Sequence, residues 1–133
     1  IFVAADAANN NEPTLYCATT NSAAGGVTLT PLVPGVESFQ VLYGQDTDND
    51  GVVNRFVPAS SLTSATVGSV KSIVVSIVVR SDSSTNVTTE AKTFNHFGAS
   101  YAGAGDAGHA FTSPSDARLR RLYTTTVAVR NNL

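Results

Sequence analysis

The stretch Lys71-Ser72-Ile73-Val74-Val75-Ser76-Ile77-Val78-Val79-Arg80 decides the fold. Six of its ten residues are Val or Ile, whose branched Cβ suits a pleated strand better than a helical turn. The run is also short for a helix. Its unbroken apolar character predicts a strand buried on both faces. Working outward, Val36 to Tyr43 alternates, with Phe39, Val41 and Tyr43 on one parity and Ser38, Gln40 and Leu42 on the other. That is the pattern of a half-buried strand, which Gly44 is expected to end. Leu119 to Arg130 alternates in the same way and is read as the last strand of the sheet.

The remaining segments are shorter. Ile1 to Asn11 reads as a strand running into an Asn-rich turn, and Pro13 to Thr19 as a short strand. Asn21 to Gly26 is a turn, and Val27 to Leu32, closed by Pro31, fits a sheet edge. Pro34-Gly35 is a strong turn signal. Arg55-Phe56-Val57 re-enters the sheet before Pro58, and residues 59–69 carry no clear period. Residues 81–117 are rich in Ser, Thr, Gly, Ala and Asn. Thr93 to Phe97 is a strand candidate there, with Phe94, Phe97, Tyr101 and Phe111 expected to pin the segment by packing. The fold class is mainly β, an antiparallel sheet with long loops, over one domain spanning 1–133.

Composition narrows the function classes. Charged residues make up 14% and hydrophobic ones 42%, which excludes wholesale disorder. No apolar run approaches the roughly 20 residues of a membrane span, so no membrane contact is expected of these residues. With a net charge of −2 and few bases, a nucleic-acid partner is not supported. Residues 1–66 hold six acids and one base, and residues 67–133 seven bases and four acids. The asymmetry predicts either oppositely charged faces or two halves that interleave and cancel. Cys17 stands alone, read either as a small buried hydrophobe or as half of a disulfide whose partner lies upstream of Ile1.

Asp46-Thr47-Asp48-Asn49-Asp50-Gly51-Val52-Val53-Asn54 spaces three carboxylates two residues apart and follows them with glycine. Ca²⁺ takes six to eight oxygen ligands, and on a looped backbone alternate side chains converge. The candidate metal ligands are Asp46, Asp48, Asp50, the carbonyl of Val52 and the side chain of Asn54, with calcium as the ion. The position where an EF-hand places its bidentate Glu holds Val57, so a further ligand is required, and Glu37 is one candidate. The rival reading is a solvated Asx-rich turn without an ion.

No catalytic constellation assembles from the residues. His96 and His109 lack paired ligands or bases at motif spacing, Asp106 and Asp116 are unpaired in sequence, and no GxSxG, HExxH or phosphate-binding loop is present. The expectation is no enzyme and no catalytic residues. His96 is read as a packed or exposed aromatic and His109 as exposed loop. Asn86-Val87-Thr88 matches a glycosylation sequon.

Leu32-Val33-Pro34-Gly35-Val36-Glu37 running into Tyr43-Gly44-Gln45-Asp46 resembles the signature of the PilW family of type IV pilus minor pilins. In that family a Leu-Val-x-Gly-Val-Glu strand leads into Tyr-Gly-x-Asp and an acidic loop. Lys71 to Ser81 is similar to the family's Val-rich strand, Asp116 to Asn131 to its C-terminal strand, and Leu15-Tyr16-Cys17 to a short upstream element. The Trp that usually precedes the Val-rich strand is missing. The resemblance implies the C-terminal globular head of a pilin, lacking the N-terminal hydrophobic helix and further upstream β structure. It implies that Cys17 has lost its partner, or that another chain supplies the missing segment. By the same resemblance the function is structural: a minor pilin of a bacterial cell-surface pilus, working in tip or priming complex assembly, adhesion or motility. Its partners are then other pilin subunits and a tip adhesin. Two alternatives stand beside it, a secreted calcium-stabilised β module binding a ligand or carbohydrate, and a major extracellular filament subunit.

Overall fold

A computed structural model describes residues 1–21, 25–85, 88–99, 101, 106 and 108–129. It is mainly β, and every pairing among its named strands is antiparallel. The strands are β1 (Phe2–Asp6), β2 (Glu12–Asn21), β3 (Gly26–Pro34), β4 (Val36–Gln45), β5 (Arg55–Val57), β6 (Val70–Arg80), β7 (Thr93–Asn95), β8 (Ala110–Thr112) and β9 (Arg120–Ala128). They form a three-stranded sheet in the order β1-β2-β3, a four-stranded sheet β5-β4-β6-β9 and a small β7-β8 pair. The helical elements among the described residues are single 3-10 turns at Ala7–Asn9, Ala59–Ser61 and Val67–Ser69. No described helix is long and apolar enough to cross a membrane.

The long strands lie where the side-chain periods place them, with corrected limits. β4 does not stop at Gly44 but continues through it to Gln45. Glycine is required there by its neighbours: a Cβ on Gly44 would overlap Ser72 Oγ and sit 3.0 Å from both Phe56 and Val53. Gln45 is buried, accepts from Arg55 Nε at 3.0 Å and donates to the Thr66 carbonyl and Ser69 Oγ at 3.4 Å. It thus ties the strand end to the unpatterned segment 59–69. β8 carries no alternation long enough to read, and exists because Phe94 and Phe111 pair across it. Residues 22–24 of the turn read at 21–26, part of the Gly/Ala-rich run at 101–108, the Asn of the sequon and the end of the strand read to Arg130 lie outside the described residues.

The expectation that β6 is buried on both faces is corrected. Ser72, Ser76 and Val78 are buried on the face shared with Leu42, over which the β7-β8 pair lays Phe94 and His96. On the opposite face Ile73, Val75, Ile77 and Val79 are only half-buried. Their neighbours in register, Phe39, Val41 and Tyr43 on β4 and Tyr123 and Val127 on β9, are half-buried or exposed. An apolar run cannot reveal by itself which of its faces has a cover.

Gly35 is bonded to both of the larger sheets. Gly35 separates β3 from β4 at φ 78°, a left-handed conformation that favours glycine. Its N–H donates to the Pro13 carbonyl in the first sheet at 2.7 Å, and its carbonyl accepts from Arg80 N–H in the second at 2.8 Å.

Candidate functional site

The acidic loop leaves the end of β4 and returns as β5, so the β4-β5 pairing at Gln45↔Arg55 clamps its base. Asp46 is 3% exposed, and its carboxylate organises the loop. Oδ1 accepts from Asn49 N–H at 2.7 Å and Oδ2 from Gly51 N–H at 2.9 Å, with Lys71 Nζ at 3.9 Å. Burial alone raises its carboxyl pKa. The Gly51 and Asn49 amides, Lys71 and Asp48 outweigh that, and the net shift is downward. Gly51 at φ 89° and Asn49 at φ 62° supply the left-handed steps of the turn.

Asp46, Asp48 and Asp50 each offer a carboxylate oxygen within 4.8 Å of the others. Oxygens bound to a single Ca²⁺ at its usual bond lengths lie at most about 5 Å apart, so the three fit a shared ion. Asp48 and Asp50 are exposed and face solvent that can complete the shell. Asn54 is differently engaged. Its Oδ1 accepts from Thr47 N–H at 2.6 Å and Thr47 Oγ1 at 3.1 Å, which occupies the lone pairs it would offer an ion. Val52 sits on the exposed rim, its N–H donating to Asp50 Oδ1 at 2.8 Å.

Glu37 is not a further ligand. It begins β4 while Asp46 follows its end, a separation of roughly 30 Å along an extended strand. Glu37 belongs instead to an ion network. Arg120, its side chain 2% exposed, donates from Nε and Nη2 to Glu37 at 2.5 and 2.9 Å, and from Nη1 and Nη2 to Asp116 at 2.7 Å. Arg80 pairs with Glu12 and approaches Glu37 at 3.6 Å. Asp116 is therefore paired, with Arg120 holding its carboxyl well below the usual range. These contacts join acids and bases from the two halves of the chain, as the interleaving reading expects. Asp116 and Arg120 are a local pair four residues apart, whereas Glu37, Glu12 and Arg80 join them only through the sheet order, which no local signal marks.

His96 is a second feature hidden from sequence. It is 1% exposed, with Nε2 2.8 Å from Ser38 Oγ and Nδ1 2.9 Å from Ser76 Oγ. Ser76 also donates to the His96 carbonyl at 3.0 Å, which leaves Nδ1 as the donor to Ser76 and Nε2 as the acceptor from Ser38. The ring thereby bolts the β7-β8 layer to β4 and β6. Burial pushes its pKa below the ordinary value, against the attraction of Asp106. His109, half-buried, donates from Nδ1 to the Asp106 carbonyl at 2.9 Å. Beside His96 a cavity of about 550 Å³ is lined by Leu42, Phe56, Val74, Phe97 and Tyr101, among others. Cys17 is half-buried on β2, and no disulfide forms among the described residues.

Comparison with known proteins gives one result. The family model described as Type IV Pilus-assembly protein W, PilW, matches residues 1–131. No curated protein and no solved structure matches the chain.

Proposed function

The chain belongs to the PilW family of type IV pilus assembly proteins, and from that we propose that it is a minor pilin head, a non-catalytic structural subunit. The family match over residues 1–131 carries this reading. The half-exposed apolar face of the four-stranded sheet supports it. Val41, Tyr43, Ile73, Val75, Tyr123 and Val127 form a continuous patch of the kind that marks a protein contact surface. In this reading the patch seats other pilus components in a tip or priming complex at the cell surface, and adhesion or motility follows from filament assembly. The acidic loop holds Ca²⁺ through Asp46, Asp48 and Asp50 and braces the β4-β5 turn, with no part in chemistry.

Deleting the gene in its host and counting surface filaments tests the proposal. Filaments should be lost and restored by the wild-type gene, and the protein should appear in sheared filaments far below the main subunit. Unchanged filament number and motility would overturn the minor-pilin role. Finding the chain as the bulk of filament mass would replace it with the major-subunit reading.

A further inference from the structure

Among the described strands, β9 is the long sheet edge without protection. β5, at the other edge of its sheet, is three residues long and is followed by Pro58. β3 carries Pro31 and Pro34 and pairs with β2 through a register shift at Leu15/Tyr16. β1 has five residues, and β7 and β8 three each. Such short, bulged or proline-bearing edges resist pairing with another chain. β9 has nine residues, no proline, and pairs with β6 without a register shift. From Tyr123 to Ala128 every residue is exposed.

Its outward hydrogen-bonding groups can be named. Val129 N–H donates to the Lys71 carbonyl at 2.8 Å and Ser81 N–H to the Leu119 carbonyl at 2.7 Å. Between these points the ladder is regular, so odd-numbered residues turn their amides and carbonyls to β6. Leu122, Thr124, Thr126 and Ala128 turn theirs outward, where no described residue meets them.

We infer that β9 is a self-complementary edge on which a second copy of this chain adds its own β9, antiparallel, about a two-fold axis at Thr125. The sequence chooses the occupant. Laid against itself in that register, Thr124 meets Thr126, and Leu122 meets Ala128, each pair bonding through the outward groups. On the apolar face Tyr123 meets Val127 and Thr125 meets Thr125. Aromatic with β-branched and Thr with Thr are favourable cross-strand pairs. Arg121, the charge on the exposed stretch, meets Val129, and the like charges this register opposes, Arg120 and Arg130, fall at its two ends, where Arg120 is already neutralised by Glu37 and Asp116. The product is an isologous contact that closes on itself. It merges two four-stranded sheets and their apolar faces into one surface.

Sedimentation equilibrium of the 133-residue chain tests this. A reversible dimer is expected. Thr126→Pro removes an outward N–H and leaves the β6 ladder intact, so the variant should keep its circular dichroism and dimerise at least about ten-fold more weakly. Thr125→Lys and Thr125→Asp should each be monomeric and should form a heterodimer when mixed. In a Cys17→Ser background, Thr125→Cys should cross-link on mild oxidation, because a non-hydrogen-bonded antiparallel pair brings Cα atoms to about 4.5 Å, within disulfide reach. A chain that stays monomeric to about 1 mM, or a dimer indifferent to Thr126→Pro and to charge at Thr125, overturns the inference. A strand of another protein pairing with β9 while this chain remains monomeric also overturns it.

Discussion

Arg80 and Glu12 meet as a two-pronged pair across the sheet boundary, Nε donating to Oε1 at 2.8 Å and Nη2 to Oε2 at 2.6 Å. Both side chains are largely buried, so the bond is shielded from salt. Glu12→Gln keeps the shape and removes the charge, and should lower unfolding free energy by about 1–3 kcal/mol in urea titration. The Arg80 hydrogen bond holds the Glu12 carboxyl below its ordinary value of 4.5. A depressed folded pKa contributes stability that is present above 4.5 and lost as pH falls through the lower folded value. The wild type should lose more stability than the Gln variant over that acid window.

The acidic loop separates into two roles. Asp46 is held by the Asn49 and Gly51 amides in the ion-free loop, so Asp46→Ala should lower the melting temperature in EDTA. Asp48→Asn and Asp50→Asn should leave the EDTA melting temperature nearly unchanged and abolish its rise with calcium, because a ligand that binds only the folded state stabilises by mass action. Differential scanning calorimetry with calcium and with EDTA checks both. A wild-type chain whose melting temperature ignores calcium removes the ion from the loop.

His96 sets a pH limit from the other side. Burial lowers its folded pKa below 6.5, so between those two values the unfolded chain binds a proton that the folded chain refuses. Stability is complete above pH 6.5 and declines as the pH drops toward the folded value, by at most about 1.4 kcal/mol per pH unit. Melting curves from pH 7.5 to 5 should show the decline, and His96→Gln should flatten it while lowering stability throughout.

Ser72 and Gly44 form a tight pair. Ser72 Oγ is buried with no hydrogen-bond partner among the described residues, and it fills the space a Cβ at Gly44 would need. Gly44→Ala should destabilise by about 1–3 kcal/mol through overpacking. Ser72→Ala should be neutral or stabilising, because it removes an unsatisfied hydroxyl. The double variant should recover part of the loss, and a chemical-denaturation cycle measures that coupling.

These tests fall on features of unequal visibility in the sequence. β4, β6 and β9 were legible because each carries enough alternating or β-branched residues to declare itself. Asp46, Asp48 and Asp50 were legible because their spacing is local. The cover over one face of β6 was not, since Phe94 and His96 arrive from about 20 residues away through a three-residue strand in a Gly-rich region. Glu37 looked available as a ligand only until the strand was given its length and the sheet order set it beside Arg120, whereas Asp116, read as unpaired, meets Arg120 only four residues on. Local chemistry is written in neighbouring residues, whereas partners set by sheet order are not.

Gly35 has a mechanical consequence. A residue whose N–H grips one sheet and whose carbonyl grips the other is a rivet between two plates. Tension applied to the first sheet and resisted at the second must pass through it, through the adjoining chain, and through the Arg80–Glu12 pair. A residue with a side chain there would crowd the Arg80 carbonyl at 3.1 Å and oppose the left-handed turn. Optical-trap pulling across the two sheets should accordingly show Gly35→Val giving way at lower force than the wild type, with equal force refuting the rivet.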